Sequence, residues 1–177
     1  MVQAAPQVFT VVNGANQPVA QAVVAVMVKG AKTTANPGTV ADMGQRGRSF
    51  VPTVVAIQTG SSVNFPNFDT VRHHVYSFSP IKPFEIKLYA GTPTAPIVFD
   101  KPGTATLGCN IHDKMIGYIH VVDTPYFGIT DAAGKVTLEV PAGEHKVRTW
   151  HSGMSEAMAP VESTMKAGAP VTLKVPG

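Results

Sequence analysis

The chain has 177 residues, of which 44% are hydrophobic and only 14% are charged, and its formal net charge is +3. This composition is typical of a globular protein with a substantial core and excludes a disordered chain. Lys and Arg are scattered, which argues against a nucleic-acid-binding surface, and the longest apolar run, residues 22–28, is too short for a membrane span.

Short runs rich in Val, Ile, Thr and Phe recur along the chain, bounded by Gly, Pro, Asn and Asp. Because no helical periodicity persists for three turns, the pattern predicts an all-β fold, a sandwich or a barrel. The predicted strands are residues 7–12, 22–28, 53–58, 62–65, 74–79, 86–89, 95–99, 103–109, 117–122, 136–140, 145–150 and 171–175. Residues 29–47 are predicted to be a loop, and residues 123–128 a second break, because turn residues interrupt both.

The only cysteine, Cys109, begins the spacing Cys-x2-His-x2-Met with His112 and Met115. Given the cysteine, this spacing arises by chance roughly once in 700 in a chain with this His and Met content. Thiolate, thioether and two imidazoles are the ligands of a mononuclear electron-transfer copper site, and His73 or His74 offers the second imidazole. One cysteine excludes an intramolecular disulfide, and equally a dinuclear thiolate-bridged copper centre.

Each of these residue types also has a commoner structural role. A lone cysteine is most often a buried structural residue, a loop histidine a surface residue, and a methionine a core filler. The joint spacing favours the metal site over these separate roles. Strand periodicity does not choose between His73 and His74, because neighbouring residues of a strand point to opposite faces.

Three further segments surround the cysteine motif: Gly60-x2-Val63-x-Phe65-x-Asn67, His73-His74-Val75, and Phe99-Asp100-Lys101-Pro102-Gly103. With them, residues 50–122 resemble a cupredoxin, the small blue copper fold. The ligand loop is similar to that of the amicyanins, and the Phe-Pro-Asn and Cys-Asn-Ile-His runs to bacterial plastocyanin-like methylamine-utilisation proteins. The resemblance implies a Greek-key β-sandwich with the ligands at one end.

The resemblance also implies roles for the ligands. The family's first histidine follows the preceding Asn by six residues, which from Asn67 gives His73, with His74 as the alternative first ligand. Cys109 would supply the short copper bond and the main electronic coupling. The solvent edge of His112 would be the electron port, and Met115 would be the long axial ligand.

Neighbours of the ligands are expected to form a second shell. His74 stands where plastocyanins have an Asn that ties the site to the residue after the cysteine, so we expect a hydrogen bond from His74 to Asn110. Arg72 replaces an apolar residue or Pro of the family, and its charge would favour Cu(I) if it lies nearby. Asp113 and Lys114 make the ligand loop more polar than in amicyanins.

The other histidines carry smaller expectations. His120 is expected to be a sheet residue. A second, Met-rich Cu(I) site would draw on His145, His151, Met154, Met158 and Met165, but these residues lack a ligand spacing.

The flanks resemble a different module. Residues 14–24 and 130–147 are similar to two parts of a carboxypeptidase-regulatory-like, transthyretin-like sandwich. We therefore expect residues 1–30 and 124–177 to form one such sandwich, with a cupredoxin copper-binding domain, residues 31–123, inserted into it. A single cupredoxin with extra strands at each end is the alternative.

Together these interpretations predict a periplasmic type 1 copper protein that carries single electrons by Cu(II)/Cu(I) cycling. We expect no enzyme activity, because protein ligands fill every position of the metal. We also expect a monomer that exchanges electrons with a c-type cytochrome or a dehydrogenase. Residues 1–6 lack the apolar region of a signal peptide, so we expect any signal to have been removed. The alternatives are a periplasmic copper chaperone or storage protein, and a structural β-sandwich with a vestigial site. Zinc on the same ligands would be a loading artefact.

Overall fold

The structure, a computed structural model, describes residues 3–93, 95–109 and 115–177. These residues form strands and no helix, which confirms the predicted all-β fold. In this part of the chain there is accordingly no helix that is long and apolar enough to cross a membrane. The strands are β1 (Ala4–Val12), β2 (Val23–Met27), β3 (Val40–Asp42), β4 (Gly44–Arg46), β5 (Ser49–Val51), β6 (Val54–Gln58), β7 (Ser62–Asn64), β8 (His73–Ser77), β9 (Phe84–Tyr89), β10 (Ile97–Val98), β11 (Gly103–Gly108), β12 (Ile116–Val122), β13 (Phe127–Ile129), β14 (Lys135–Pro141), β15 (Glu144–Trp150), β16 (Val161–Lys166) and β17 (Val171–Lys174).

The chain divides into two compact units. Unit 1 comprises Met1–Thr33 and Thr124–Gly177, and unit 2 comprises Thr34–Asp123. The boundary drawn from the sequence differs at the first junction, residue 30 rather than residue 33. Kinship of unit 1 with the carboxypeptidase-regulatory-like family stays a prediction.

Unit 1 is built from two sheets, ordered β14-β1-β17 and β13-β2-β15-β16. Strand β1 pairs antiparallel with β14 and parallel with β17. Burial alternates along β1 and β14, whereas four consecutive residues of β2 are buried. The two sheets share one apolar core, which includes Phe9, Val11, Val24, Val26, Leu138, Val140, Val147 and Leu173. Burial of this apolar face is the main favourable contribution to the stability of unit 1.

Unit 2 contains a five-stranded sheet, β6-β12-β11-β8-β9, a three-stranded sheet, β10-β7-β3, and the hairpin β4-β5. Strand β6 pairs parallel with β12, and the other pairs of the five-stranded sheet are antiparallel. Residues from both sheets share one core, which includes Val55, Val63, Phe65, Val75, Phe99, Leu107, Ile119 and Val121. Cys109 and Met115 belong to the same core.

The predicted loop over residues 29–47 is wrong where it covers β3 and β4. The predicted break at residues 123–128 overlaps the start of β13, and β16 was not predicted. Strands of three residues are too short to show an alternation of apolar and polar side chains, so they leave no periodic signal. Strand β16 reads Val-Glu-Ser-Thr-Met-Lys and has few apolar residues.

Candidate metal centre

The alternation of β8 separates the two neighbouring histidines. His73, Val75 and Ser77 are buried, whereas His74 and Tyr76 are half-buried on the other face. His73 is fully buried, at 0% exposure, and is among the largest side chains without solvent contact. The inward position of this strand is therefore occupied by an imidazole where an apolar residue would be expected.

Cys109 and Met115 lie at one end of the β11–β12 pair. Cys109 directly follows β11 and Met115 directly precedes β12, and the last paired residues are Gly108 and Ile116. Both side chains are only 2% exposed. Because β8 runs antiparallel to β11, with Gly108 opposite Tyr76, the start of β8 lies at the same end of the sheet.

This arrangement brings a sulfur and an imidazole nitrogen together in the core. The Sγ atom of Cys109 lies 3.8 Å from Nδ1 of His73. Thiolate and imidazole bonds to a metal such as zinc are about 2.3 and 2.0 Å long. Two such bonds at the trigonal angle of about 120° place the sulfur and the nitrogen about 3.7 Å apart. The separation thus fits two ligands of one trigonal metal ion, and the donor types fit copper.

The other nitrogen of His73 contacts a carboxylate. Its Nε2 atom lies 2.7 Å from Oδ2 of Asp69. Because an ionised carboxylate only accepts hydrogen bonds, Nε2 carries the proton and donates it. A neutral His73 therefore presents its unprotonated nitrogen, Nδ1, to Cys109. A carboxylate behind a histidine is a common arrangement at metal sites, where it fixes the ring and strengthens the ligand.

The tip of the β4–β5 hairpin holds Asp69 from the other side. The two-residue turn of this hairpin, Gly47 and Arg48, has φ angles of 59° and 57°, as a type I′ turn requires. The N–H of Gly47 donates to Oδ1 of Asp69 at 2.7 Å, and the N–H of Arg48 donates to Oδ2 at 3.0 Å. Burial acts to raise the pKa of Asp69, but the hydrogen bonds from His73, Arg48 and Gly47 outweigh it and hold this pKa below its ordinary value of 3.8.

Asn67 fixes the turn that carries Asp69 from β7 towards β8. Its side-chain amide donates to the carbonyl oxygens of Val71 and Tyr89, at 2.9 and 3.0 Å. Its Oδ1 accepts the N–H of Asp69 at 2.9 Å. With Asn67 only 6% exposed, these bonds define the turn and explain why an Asn stands ahead of the histidine pair.

A tyrosine completes the polar network near the sulfur. The hydroxyl of Tyr89 donates to the carbonyl of Phe65 at 2.8 Å and accepts from the side-chain amide of Gln45. Burial raises the pKa of Tyr89 to about 12; the bond from Gln45 opposes this effect, and the negative charge of Cys109 adds to it. Tyr89 therefore stays neutral and lies within electrostatic reach of Cys109.

Not all of the other predicted site residues lie beside Cys109 and His73. Nε2 of His74 lies 3.4 Å from Oε1 of Glu85, and its ring meets Tyr76 edge to face at 5.9 Å. Arg72 is exposed. His112, Asn110, Asp113 and Lys114 lie outside the described residues, so their predicted roles, and the predicted hydrogen bond between His74 and Asn110, stay predictions. Within the described ranges, no three side chains of His, Cys, Asp or Glu form a metal-binding group.

The other histidines are engaged elsewhere. His120 lies in β12, where Nδ1 is 2.8 Å from Oγ1 of Thr104, and burial lowers its pKa to about 4. Nε2 of His145 and Nε2 of His151 each lie 2.8 Å from a backbone carbonyl oxygen. Nδ1 of His151 also accepts the N–H of Gly153 at 3.2 Å, so both ring nitrogens of His151 are engaged, and this contact does not favour a role for His151 in the Met-rich site.

Comparisons with known proteins give structural neighbours only. No family model matches the chain, and no curated protein sequence matches it either. An amicyanin from Paracoccus versutus is similar at 19% identity, over 55% of this chain and 96% of its own, with a TM-score of 0.40. A purple cupredoxin from Nitrosopumilus maritimus is similar at 19% identity, over 47% of this chain and 98% of its own, with a TM-score of 0.40.

A copper-containing nitrite reductase from Thermus scotoductus is similar at 28% identity, with a TM-score of 0.44. The match covers 63% of this chain but only 28% of that enzyme. The case for a metal site rests on the donor atoms of this chain itself.

Proposed function

We propose that the chain is a type 1 copper protein that carries single electrons, with His73, Cys109, His112 and Met115 as ligands. The observation that supports this best is the buried pair of Cys109 Sγ and His73 Nδ1 at 3.8 Å, the separation expected of two ligands on one ion. Copper, when bound, supplies a one-electron couple between Cu(II) and Cu(I). His74, on the outer face of β8, is the less suitable first ligand.

The chain's own residues supply the rest. Cys109, as a thiolate, provides the soft donor that favours Cu(I), and His73 provides a nitrogen donor suited to both oxidation states. Met115 is 2% exposed and shares the core with Cys109, so a weak thioether ligand is held in a dry environment. His112 is proposed as the second imidazole from the spacing of the sequence alone.

Rigidity suits this task. His73 is held through Asp69 by the tip of the β4–β5 hairpin, and Tyr89 and Gln45 are bonded to each other and to the backbone. Ligands that keep their positions in both oxidation states lower the reorganisation that accompanies electron transfer. Four protein ligands leave no open position for a substrate, which is why we propose a carrier and not an enzyme.

Localisation and partners are part of the proposal. We place the protein in the periplasm as a monomer, with a c-type cytochrome or a dehydrogenase as redox partner, because carriers of the resembled family work there. Unit 1 is proposed to be a carboxypeptidase-regulatory-like sandwich that serves as a docking or spacing module.

Redox cycling tests the proposal against the chaperone alternative. Copper-loaded protein is reduced with ascorbate and reoxidised with ferricyanide over several cycles, in the presence of a Cu(I) chelator that cannot enter the core. A carrier takes up one electron per chain in each cycle and keeps its copper, as the burial of Cys109 predicts. Loss of copper to the chelator on the first reduction would instead indicate a chaperone. The absence of any redox change would indicate a vestigial site. Cys109→Ser is the control that should not cycle.

A further inference from the structure

The contact between His73 and Asp69 has a consequence beyond holding a ring in place. It joins the candidate ligand to a backbone anion site, since Asp69 accepts N–H groups from both residues of the β4–β5 turn. Successive N–H groups in such a turn form a concave site for an anion. Here the anion is a side chain of the same chain, and its Oδ2 atom is shared between Arg48 and His73.

We propose that Asp69 is a positioning residue that fixes the tautomer of His73 and biases the site towards Cu(II). Only the bias towards Cu(II) rests on the proposed copper function; the tautomer of His73 does not depend on it. The carboxylate selects the form of His73 with the proton on Nε2, so Nδ1 is ready to bind a metal before any metal arrives. A carboxylate bonded to a ligating imidazole also raises the basicity of that ligand, which stabilises the more highly charged ion.

Access to water and accepted hydrogen bonds both favour the ionised form of Asp69. Its side chain is 13% exposed, and a cavity of about 240 Å³ lined by Gly47, Arg48, Asp69, Thr70 and Val71 gives water access to it. The three hydrogen bonds that it accepts stabilise the ionised form. The side chain of His73, by contrast, is fully buried. The charged carboxylate of Asp69 is therefore in contact with solvent, whereas Nδ1 of His73 is buried.

Two substitutions separate the parts of this role. In Asp69→Asn the amide oxygen still accepts the proton of His73, but the charge is removed and the amide nitrogen faces the N–H of Gly47. In Asp69→Ala the acceptor is removed altogether. Asp100→Asn, at an exposed position of the same unit, removes the same charge elsewhere and serves as the matched control.

The first measurement is ¹⁵N NMR of the imidazole of His73 in copper-free protein. We expect the Nε2-protonated tautomer, with a slowly exchanging proton, in the unmodified protein, in Asp69→Asn and in Asp100→Asn. We expect a mixture of tautomers with fast exchange in Asp69→Ala. If Asp69 only closes the hairpin, Asp69→Ala will loosen the amides of Gly47 and Arg48 but leave the tautomer unchanged, and that result overturns the inference.

The second measurement is made on copper-loaded protein. Asp69→Asn should raise the reduction potential, Asp69→Ala should weaken Cu(II) binding about 10- to 100-fold, and Asp100→Asn should change neither. Equal potentials in Asp69→Asn and the unmodified protein would contradict the bias towards Cu(II). Because the NMR measurement needs no copper, it tests the tautomer of His73 independently of the proposed electron-transfer function.

Discussion

His73 and His74 are adjacent in the sequence, yet their imidazoles lie on opposite faces of β8. His73 is fully buried beside Cys109, and His74 lies near Glu85 on the half-buried face. Only one of the two can therefore share a metal ion with Cys109. This difference gives a direct comparison between two histidines of the same strand.

Replacing each histidine by alanine should give unlike results. His73→Ala removes a ligand, so Cu(II) affinity should fall by more than about 100-fold and the visible colour should disappear. His74→Ala should keep the colour, change affinity by no more than about tenfold and shift the reduction potential. Copper titration with visible absorption checks both, and loss of colour in His74→Ala with retention in His73→Ala would reverse the assignment.

Met115→Leu tests the thioether. The two side chains have similar volumes, so the substitution should cost less than about 1.5 kcal/mol of stability. Loss of a weak axial donor should leave the thiolate colour and raise the reduction potential. Met43 is fully buried in the same core, so Met43→Leu is the matched control and should leave the potential unchanged. Equal shifts in both variants would show that core packing, and not ligation, sets the potential.

The stability of unit 2 should depend on pH through His120. Its pKa of about 4 in the folded protein lies below the ordinary 6.5, so the unfolded chain binds a proton that the folded protein does not. The contribution is fully present above pH 6.5 and is lost as the pH falls towards 4, by about 2 kcal/mol at pH 5.

Urea unfolding of copper-free protein at pH 7 and pH 5 measures this loss. Methyl NMR signals of Val75 and Ile119 report the core of unit 2 specifically. In His120→Gln the difference between the two pH values should shrink by about 2 kcal/mol. An unchanged difference would mean that His120 is not the group responsible.

Tyr89→Phe should destabilise unit 2 without altering its shape. The substitution removes the hydroxyl that bonds Gln45 and Phe65, leaving a fully buried amide without that partner. We expect a loss of about 1–3 kcal/mol in free energy of unfolding. The double variant Tyr89→Phe, Gln45→Leu should recover part of it, because both polar partners are then absent. Purely additive losses in this double-mutant cycle would contradict the coupling.

The sequence predicted the parts of unit 2 that follow from local pattern. Alternation around Val75 and the Val-rich runs predicted the strands, and the spacing from Cys109 to Met115 predicted two donors that the structure places in one core. Strand periodicity did not choose between His73 and His74, because alternation separates two faces without showing which one is buried. The family resemblance favoured His73, which is the histidine that the structure buries beside Cys109.

Asp69 was not predicted, for a related reason. Its role depends on the β4–β5 hairpin, whose first strand and Gly47 lie inside the segment predicted to be a loop. Arg48 of this hairpin is 21 residues from Asp69 in the sequence. The available signal was weak: a carboxylate four residues before His73, and Gly47 and Arg48 as a two-residue turn. Long-range contacts of this kind leave no periodicity in the chain.

The visible absorption spectrum of Cu(II)-loaded protein, recorded beside Cys109→Ser, tests the central claim most directly. We predict an intense thiolate-to-copper charge-transfer band that ascorbate bleaches and that is absent from the serine variant. A colourless protein, or weak copper bands equal in both proteins, would contradict a type 1 site built on Cys109 and His73.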